Sequence, residues 1–118
     1  MNIEEFRDYC LRKKKVMECF PFDDKTLVFK VAGKMFALAG LDQYPAKINL
    51  KCDSEKSIAL REEFIDINPG FHMNKKHWNT VTIEGVLHDD LICELIDHSY
   101  DLVVKGLKKS EKEELGKM

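Results

Sequence analysis

The ten residues from His72 to Val81, read as His-Met-Asn-Lys-Lys-His-Trp-Asn-Thr-Val, hold two lysines, two imidazoles, two carboxamides and the only tryptophan of the chain. No other stretch is so dense in groups that can touch a ligand. Ammonium groups make salt-sensitive contacts to phosphate, carboxamides and Thr80 add positioning hydrogen bonds, and an indole or imidazole can stack on a base. His72, Asn74, Lys75, Lys76, His77, Trp78 and Asn79 therefore form a candidate polyanion site. The competing reading is structural: Trp78 sits in the core, Lys75 and Lys76 are solvated turn residues, and the asparagines bond their own backbone.

Other chemistries find less support. His72 and His77 are five apart around a turn, and His88 and His98 flank or enter a later helix, so no histidine pair has the i, i+4 spacing of a helical zinc site. His98 is expected to pair with Glu94 one turn back. Cys10, Cys19, Cys52 and Cys93 show no CxxC spacing and read as buried, reduced thiols. There is no GxSxG elbow and no glycine-rich phosphate cradle, and Asp89-Asp90 reads as a helix cap rather than a carboxylate dyad. The chain is accordingly read as having no catalytic residue, no metal and no cofactor.

At 118 residues the chain is read as one domain, 1–118, large enough to bury a core without staples. No apolar run approaches the ~18 residues of a membrane span. The charged, amphipathic start Met1-Asn-Ile-Glu-Glu-Phe-Arg-Asp8 is unlike a secretion signal, so the cytoplasm is the expected location and no membrane partner is expected. The net charge of −2 argues against a whole-protein basic footprint, but it is uneven. Residues 25–80 carry nine basic and six acidic groups, whereas 81–118 carry five and nine. Any positive surface lies in the middle third, where Lys30, Lys34, Lys47 and Lys51 extend the candidate site.

Asn2 and Glu5 have capping-box spacing and predict a first helix from Ile3 to about Lys15, with Arg12 to Lys15 complementing its dipole. Phe20-Pro-Phe22 cannot continue a helix and reads as a loop with both rings under the sheet. Thr26–Val31 and Lys34–Ala39 form a hairpin about Ala32-Gly33, with Leu27, Phe29 and Val31 on one face and Val28 and Lys30 on the other. In Ala46–Cys52, Ile48, Leu50 and Cys52 alternate inward against Lys47, Asn49 and Lys51. A short helix over Glu55–Phe64 follows, then two short strands, Phe71–Asn74 and Trp78–Ile83. Strand parity extended to Lys75 would place Lys75, His77 and Asn79 opposite Lys76, Trp78 and Thr80. A long amphipathic helix from Asp89 or Asp90 to about Leu107 carries Ile92, Leu95, Ile96 and Val103 on its apolar stripe, and the charged tail after Lys109 reads as a frayed helical turn.

These motifs also carry a resemblance. Pro69-Gly70-Phe-His-Met-Asn-Lys-Lys-His-Trp-Asn-Thr-Val81 resembles the PGYHMNKKHWNTV segment of the MmcQ/YjbR family of small bacterial proteins, with Phe71 in place of the usual tyrosine. Phe20-Pro-Phe22, Val28-Phe-Lys-Val31, Gly33-Lys-Met-Phe-Ala-Leu38, Asn49-Leu-Lys-Cys52, Leu60-Arg-Glu62 and Ser99-Tyr-Asp-Leu-Val103 agree with it in order. The resemblance implies an α+β two-layer sandwich like that of CyaY and frataxin, an antiparallel sheet with the N- and C-terminal helices packed on one face. It also implies a DNA-binding label. Frataxin-like iron handling is not expected, because Arg7, Arg12 and Lys13 to Lys15 interrupt the acidic ridge begun by Glu4, Glu5 and Asp8.

The sequence thus predicts a non-enzymatic DNA-binding module using a basic sheet face and the 72–81 turn. A module docking a protein partner on the open sheet face, with the turn locking the fold and Trp78 buried, is the alternative, and an enzyme of unknown reaction comes third. Oligomeric state is not legible.

Overall fold

A computed structural model describes residues 1–116. Helix α1 (Ile3–Leu11) opens with the predicted capping box: the Asn2 side chain accepts from Glu5 N at 2.8 Å and the Glu5 carboxylate from Asn2 N at 3.1 Å. It ends four residues before the expected Lys15. Lys15 takes a left-handed φ of 55°, and the chain turns into a strand that the helical spacing concealed, β1 (Val16–Cys19). Met17 is 73% exposed on that strand. Nor does the lysine run serve the α1 dipole: Lys13 pairs with Asp97 and Lys15 reaches the Glu114 carbonyl.

The predicted hairpin is present as β2 (Thr26–Val31) and β3 (Lys34–Gly40). Ala32 and Gly33 both take positive φ, 50° and 76°, as a two-residue turn between right-twisted strands requires. Then come β4 (Lys47–Lys51), α2 (Ser54–Glu63), β5 (Ile67–Pro69), β6 (Trp78–Thr82), α3 (Asp89–Lys105) and α4 (Lys109–Gly116). The strands form one antiparallel sheet in the order β1-β2-β3-β4-β6-β5. Strand β5 lies before Phe71, so the expected strand over Phe71–Asn74 is instead a loop.

One face of the sheet is covered by helices, giving the predicted α+β two-layer sandwich. Phe6 and Cys10 of α1 and Ile92, Leu95, Ile96 and Val103 of α3 pack in one core with Leu27, Phe29, Val31, Ile48, Leu50 and Val81. Phe6 and Phe29 meet edge to face at 5.5 Å. A bulge in β3 adds Phe36 between Met35, paired with Lys30, and Ala37, paired with Phe29. It turns Phe36 toward the helices, where its ring meets Tyr100 at 5.3 Å and its carbonyl accepts from Ser99 Oγ at 2.5 Å.

Three further expectations are corrected. Asp89 and Asp90 occupy the first turn of α3, whose N-cap is His88, so they favour its dipole without capping it. Over its described residues, Lys109–Gly116, the tail is helical rather than frayed and is anchored by the buried Leu115. Phe20 and Phe22 are 50% and 63% exposed, because Asp23 accepts from Lys25 N and Thr26 N in a tight turn that leaves both rings outside the core. Among the described residues no helix is long and apolar enough to cross a membrane.

Candidate functional site

The 72–81 stretch divides into a self-closed loop and the start of β6. Asn74 Oδ1 accepts from Lys76 N at 2.9 Å and His77 N at 3.3 Å, and Trp78 N donates to Asn74 O at 3.0 Å. Lys75 Nζ folds back to the Gly70 carbonyl at 3.0 Å. Gly70 is required by close approach: a Cβ there would come within 2.9 Å of Trp78 Cβ and 3.0 Å of Met73 Cβ. The loop is clamped from α2 by Arg61, whose Nε donates to Asn79 Oδ1 at 2.7 Å and whose Nη2 donates to Trp78 O at 3.2 Å and to Lys75 O. Asn79 Nδ2 in turn donates to the buried Ser57 at 3.3 Å.

This network changes what the sequence-predicted residues can do. Asn79 is 2% exposed on the helix side, so it serves the fold and cannot meet a nucleic acid. Trp78 is 9% exposed, buried with Val28 and Leu38 under Cys19, Met35 and Met73, so its indole is not free to stack. Asn74 spends its oxygen and carbonyl within the loop, and Lys75 spends a proton on Gly70. Lys76 and His77 stay exposed, and His72 is exposed with a left-handed φ of 60° and its ring 4.1 Å from that of Phe71. The parity expected for Lys75 and Lys76 does not apply, since the strand starts only at Trp78. In the sequence Arg61 stands out only as part of the matching segment Leu60-Arg-Glu62; a lone arginine on a short helix carries no signal of what lies across the loop.

The other sheet face is open, and its content follows from the register. Lys47 pairs with Thr82, Asn49 with Thr80 and Lys51 with Trp78, while Lys30 lies between Met17 and Met35. The alternation predicted for β2 and β4 is thus present, and Lys30, Lys47 and Lys51 share this face. They are the only charged side chains the strands place on it, and none has an ion-pair partner among the described residues. Lys34 pairs with Val31 and so falls on the helix side, although it lines a depression at the sheet's end together with Lys51. Two carboxylates of the bordering loops are engaged, Asp23 by backbone N–H groups, which hold its carboxyl below the usual range, and Asp42 by Lys25 at 4.0 Å.

Toward the β5 edge the open face is hollowed into two adjoining depressions of about 370 and 310 Å³, sharing Gln43, Asn49 and Phe71. Phe22, Leu38 and His72 line the first, and Lys47, Thr80 and Thr82 the second. No carboxylate lines either.

Elsewhere, His98 does not pair with Glu94. Its Nε2 accepts from Asp53 N at 3.1 Å, and burial, with Lys56 nearby, holds its pKa below the ordinary value. Burial pushes the thiols of Cys10, Cys52 and Cys93 upward, which suits unreactive thiols. Tyr9 donates to both carboxylate oxygens of Asp97, at 2.8 and 3.0 Å, and Lys13 lies 5.2 Å from the Tyr9 ring centre, a clamp between α1 and α3. Among the described residues no three His, Cys, Asp or Glu side chains gather as a metal site.

Comparison with known proteins gives a consistent picture. The YjbR family model matches residues 11–102. Protein YbdF of Escherichia coli O157:H7 is 41% identical over 93 residues, covering 79% of this chain and 76% of its own. Protein YjbR of Escherichia coli K12 is 32% identical over 112 residues, covering 95% of each. A crystal structure of a Deinococcus radiodurans protein described by the domain name DUF419 superposes with a TM-score of 0.91 at 44% identity, covering 98% of this chain and 88% of that one. A Pseudomonas syringae crystal structure gives 0.76 at 31% identity, covering 86% and 98%.

Proposed function

This chain belongs to the YjbR family, and on that premise we propose that it acts by binding DNA on its open sheet face rather than by catalysis. One observation carries the reading: every charged side chain that the strands set on that face is a lysine, and none is neutralised by an ion pair among the described residues. Unpaired ammonium groups on a sheet are free to displace the counterions of a phosphate backbone. Lys30, Lys47 and Lys51 are the principal contacts, with the exposed Lys76 and His77 beside them, while the rest of the 72–81 loop holds the sheet's end in shape. The reading places the protein in the cytoplasm, where DNA is available.

The test is binding to a short duplex and a single strand over a series of salt concentrations. Each lysine that meets a phosphate contributes a slope of about −0.9 on duplex or −0.7 on single strands in a plot of log K against log salt. Replacing Lys30, Lys47 and Lys51 together by alanine should flatten the plot by about two to three such contributions. Unchanged slope in that variant, or no binding at low salt, would sink the reading. A protein partner on the same face is the second reading, favoured by the burial of Trp78 and by the exposed Met17 beside Lys30. It predicts capture that is insensitive to salt.

A further inference from the structure

We propose that the hollow between Phe22 and Phe71 holds a single unpaired base, so that the open face binds single-stranded nucleic acid in preference to duplex. The inference rests on the nucleic-acid reading above and specifies its ligand.

Three features of the hollow fit a base and its phosphate. First, two phenylalanines, each 63% exposed, line the same depression. A folded chain in water leaves rings this bare at one polar-floored hollow only at a cost in hydration, and a planar heterocycle offers the matching flat surface. Second, one edge of the hollow has a fixed hydrogen-bonding sense. Thr80 Oγ1 accepts from Phe71 N at 2.8 Å and donates its proton to Asn49 Oδ1, 2.7 Å away. That places the Asn49 oxygen against Thr80 and leaves the Nδ2 amino group as a donor that no described residue accepts. The Thr80 hydroxyl also ties the backbone of Phe71 to this amide, so ring and donor are held as one unit. Third, Lys47 lines the adjoining depression, which no carboxylate lines, about where the chain bearing a base would leave the hollow.

A duplex cannot use this arrangement, since its bases are stacked and their pairing edges are occupied. A splayed single strand presents both a free face to Phe71 and a free carbonyl edge to Asn49.

The experiment measures fluorescence anisotropy of labelled fifteen-nucleotide oligothymidylate and of a fifteen-base-pair duplex at low salt, with the full chain. The oligothymidylate should bind more tightly. Phe71→Ala and Phe22→Ala should each weaken it by about tenfold or more while leaving the duplex unchanged. Phe71→Tyr should keep the affinity. Asn49→Asp retains the acceptor for Thr80 but replaces the outward donor by a charged acceptor, and should also lose the oligonucleotide. Both phenylalanines are exposed, so the variants should fold, which Trp78 emission and a thermal melt will register. Duplex binding as tight as single-strand binding, with Phe71→Ala silent, overturns the inference and leaves the broader DNA reading intact. Failure of both nucleic acids to bind overturns both together.

Discussion

The two faces of the sheet treat polar groups in opposite ways. On the helix side each buried polar side chain is consumed internally: Asn79 by Arg61 and Ser57, and Ser99 by the Phe36 carbonyl and by Lys51 N at 2.9 Å. On the open side Lys30, Lys47 and Lys51 stand without ion pairs, Asn49 keeps a free amino group, and Phe22 and Phe71 stay bare. A buried donor left alone costs about 1–3 kcal/mol, so it is tolerated only where water or a ligand can reach it. The division therefore marks where this chain was shaped to hold itself together and where it was left available.

Removing core volume should break the comparison most severely. Phe29→Ala, beneath α1 and wholly buried, should cost roughly 3–5 kcal/mol in urea unfolding. Next, Arg61→Ala should cost about 1–3 kcal/mol, because it strands the buried Asn79 oxygen and takes a donor from the Lys75 and Trp78 carbonyls, the latter keeping Gly70 N; a cost near zero would mean that the loop is not clamped from α2. A smaller effect should come from pH. His98 must be neutral at Nε2 to accept from Asp53 N, and its pKa is depressed in the folded chain below the ordinary 6.5. The unfolded chain thus takes up the proton first, so this contribution is complete above about pH 6.5 and is lost as pH falls below it. The melting temperature should drop between pH 7.5 and 5.5 by more in the parent than in His98→Gln. Least of all, the triple alanine replacement of Lys30, Lys47 and Lys51 should change stability by within about 0.5 kcal/mol, although it removes most of the salt dependence of binding. A large stability loss there would make the open face a structural surface too.

What could be read from the residues depended on how local its cause was. The hairpin about Gly33, the alternation in β2 and β4 and the stripe of α3 each follow from periodicity within one segment, and all are present. Strand β1 was hidden because four residues after a helical pattern acquire their identity only by pairing with Val28–Val31. The shared face of Lys30, Lys47 and Lys51 was partly legible, as each alternated outward from its own strand. Strand parity already set Trp78 and Asn79 on opposite faces and a buried Trp78 was one of two readings, but the burial of Asn79 was not legible, because it depends on Arg61 across the loop. In the sequence Phe71 stands out as a replacement for tyrosine, and Asn49 as an outward residue inside a matching segment. Their linkage through Thr80 exists only in the register of β4 with β6.

The sheet's outer borders have a consequence for behaviour at high concentration. Strand β5 is three residues long and closes with Pro69, which has no N–H to offer a neighbour, whereas β1 runs for four residues between the left-handed Lys15 and Pro21. Short, interrupted edges give another chain little backbone to zip onto. An open sheet with bare aromatic rings would otherwise be a template for fibrous association. Here the adhesive surface faces outward while the directions of lateral growth are closed, so crowding should produce reversible face-to-face contact rather than extended β assembly.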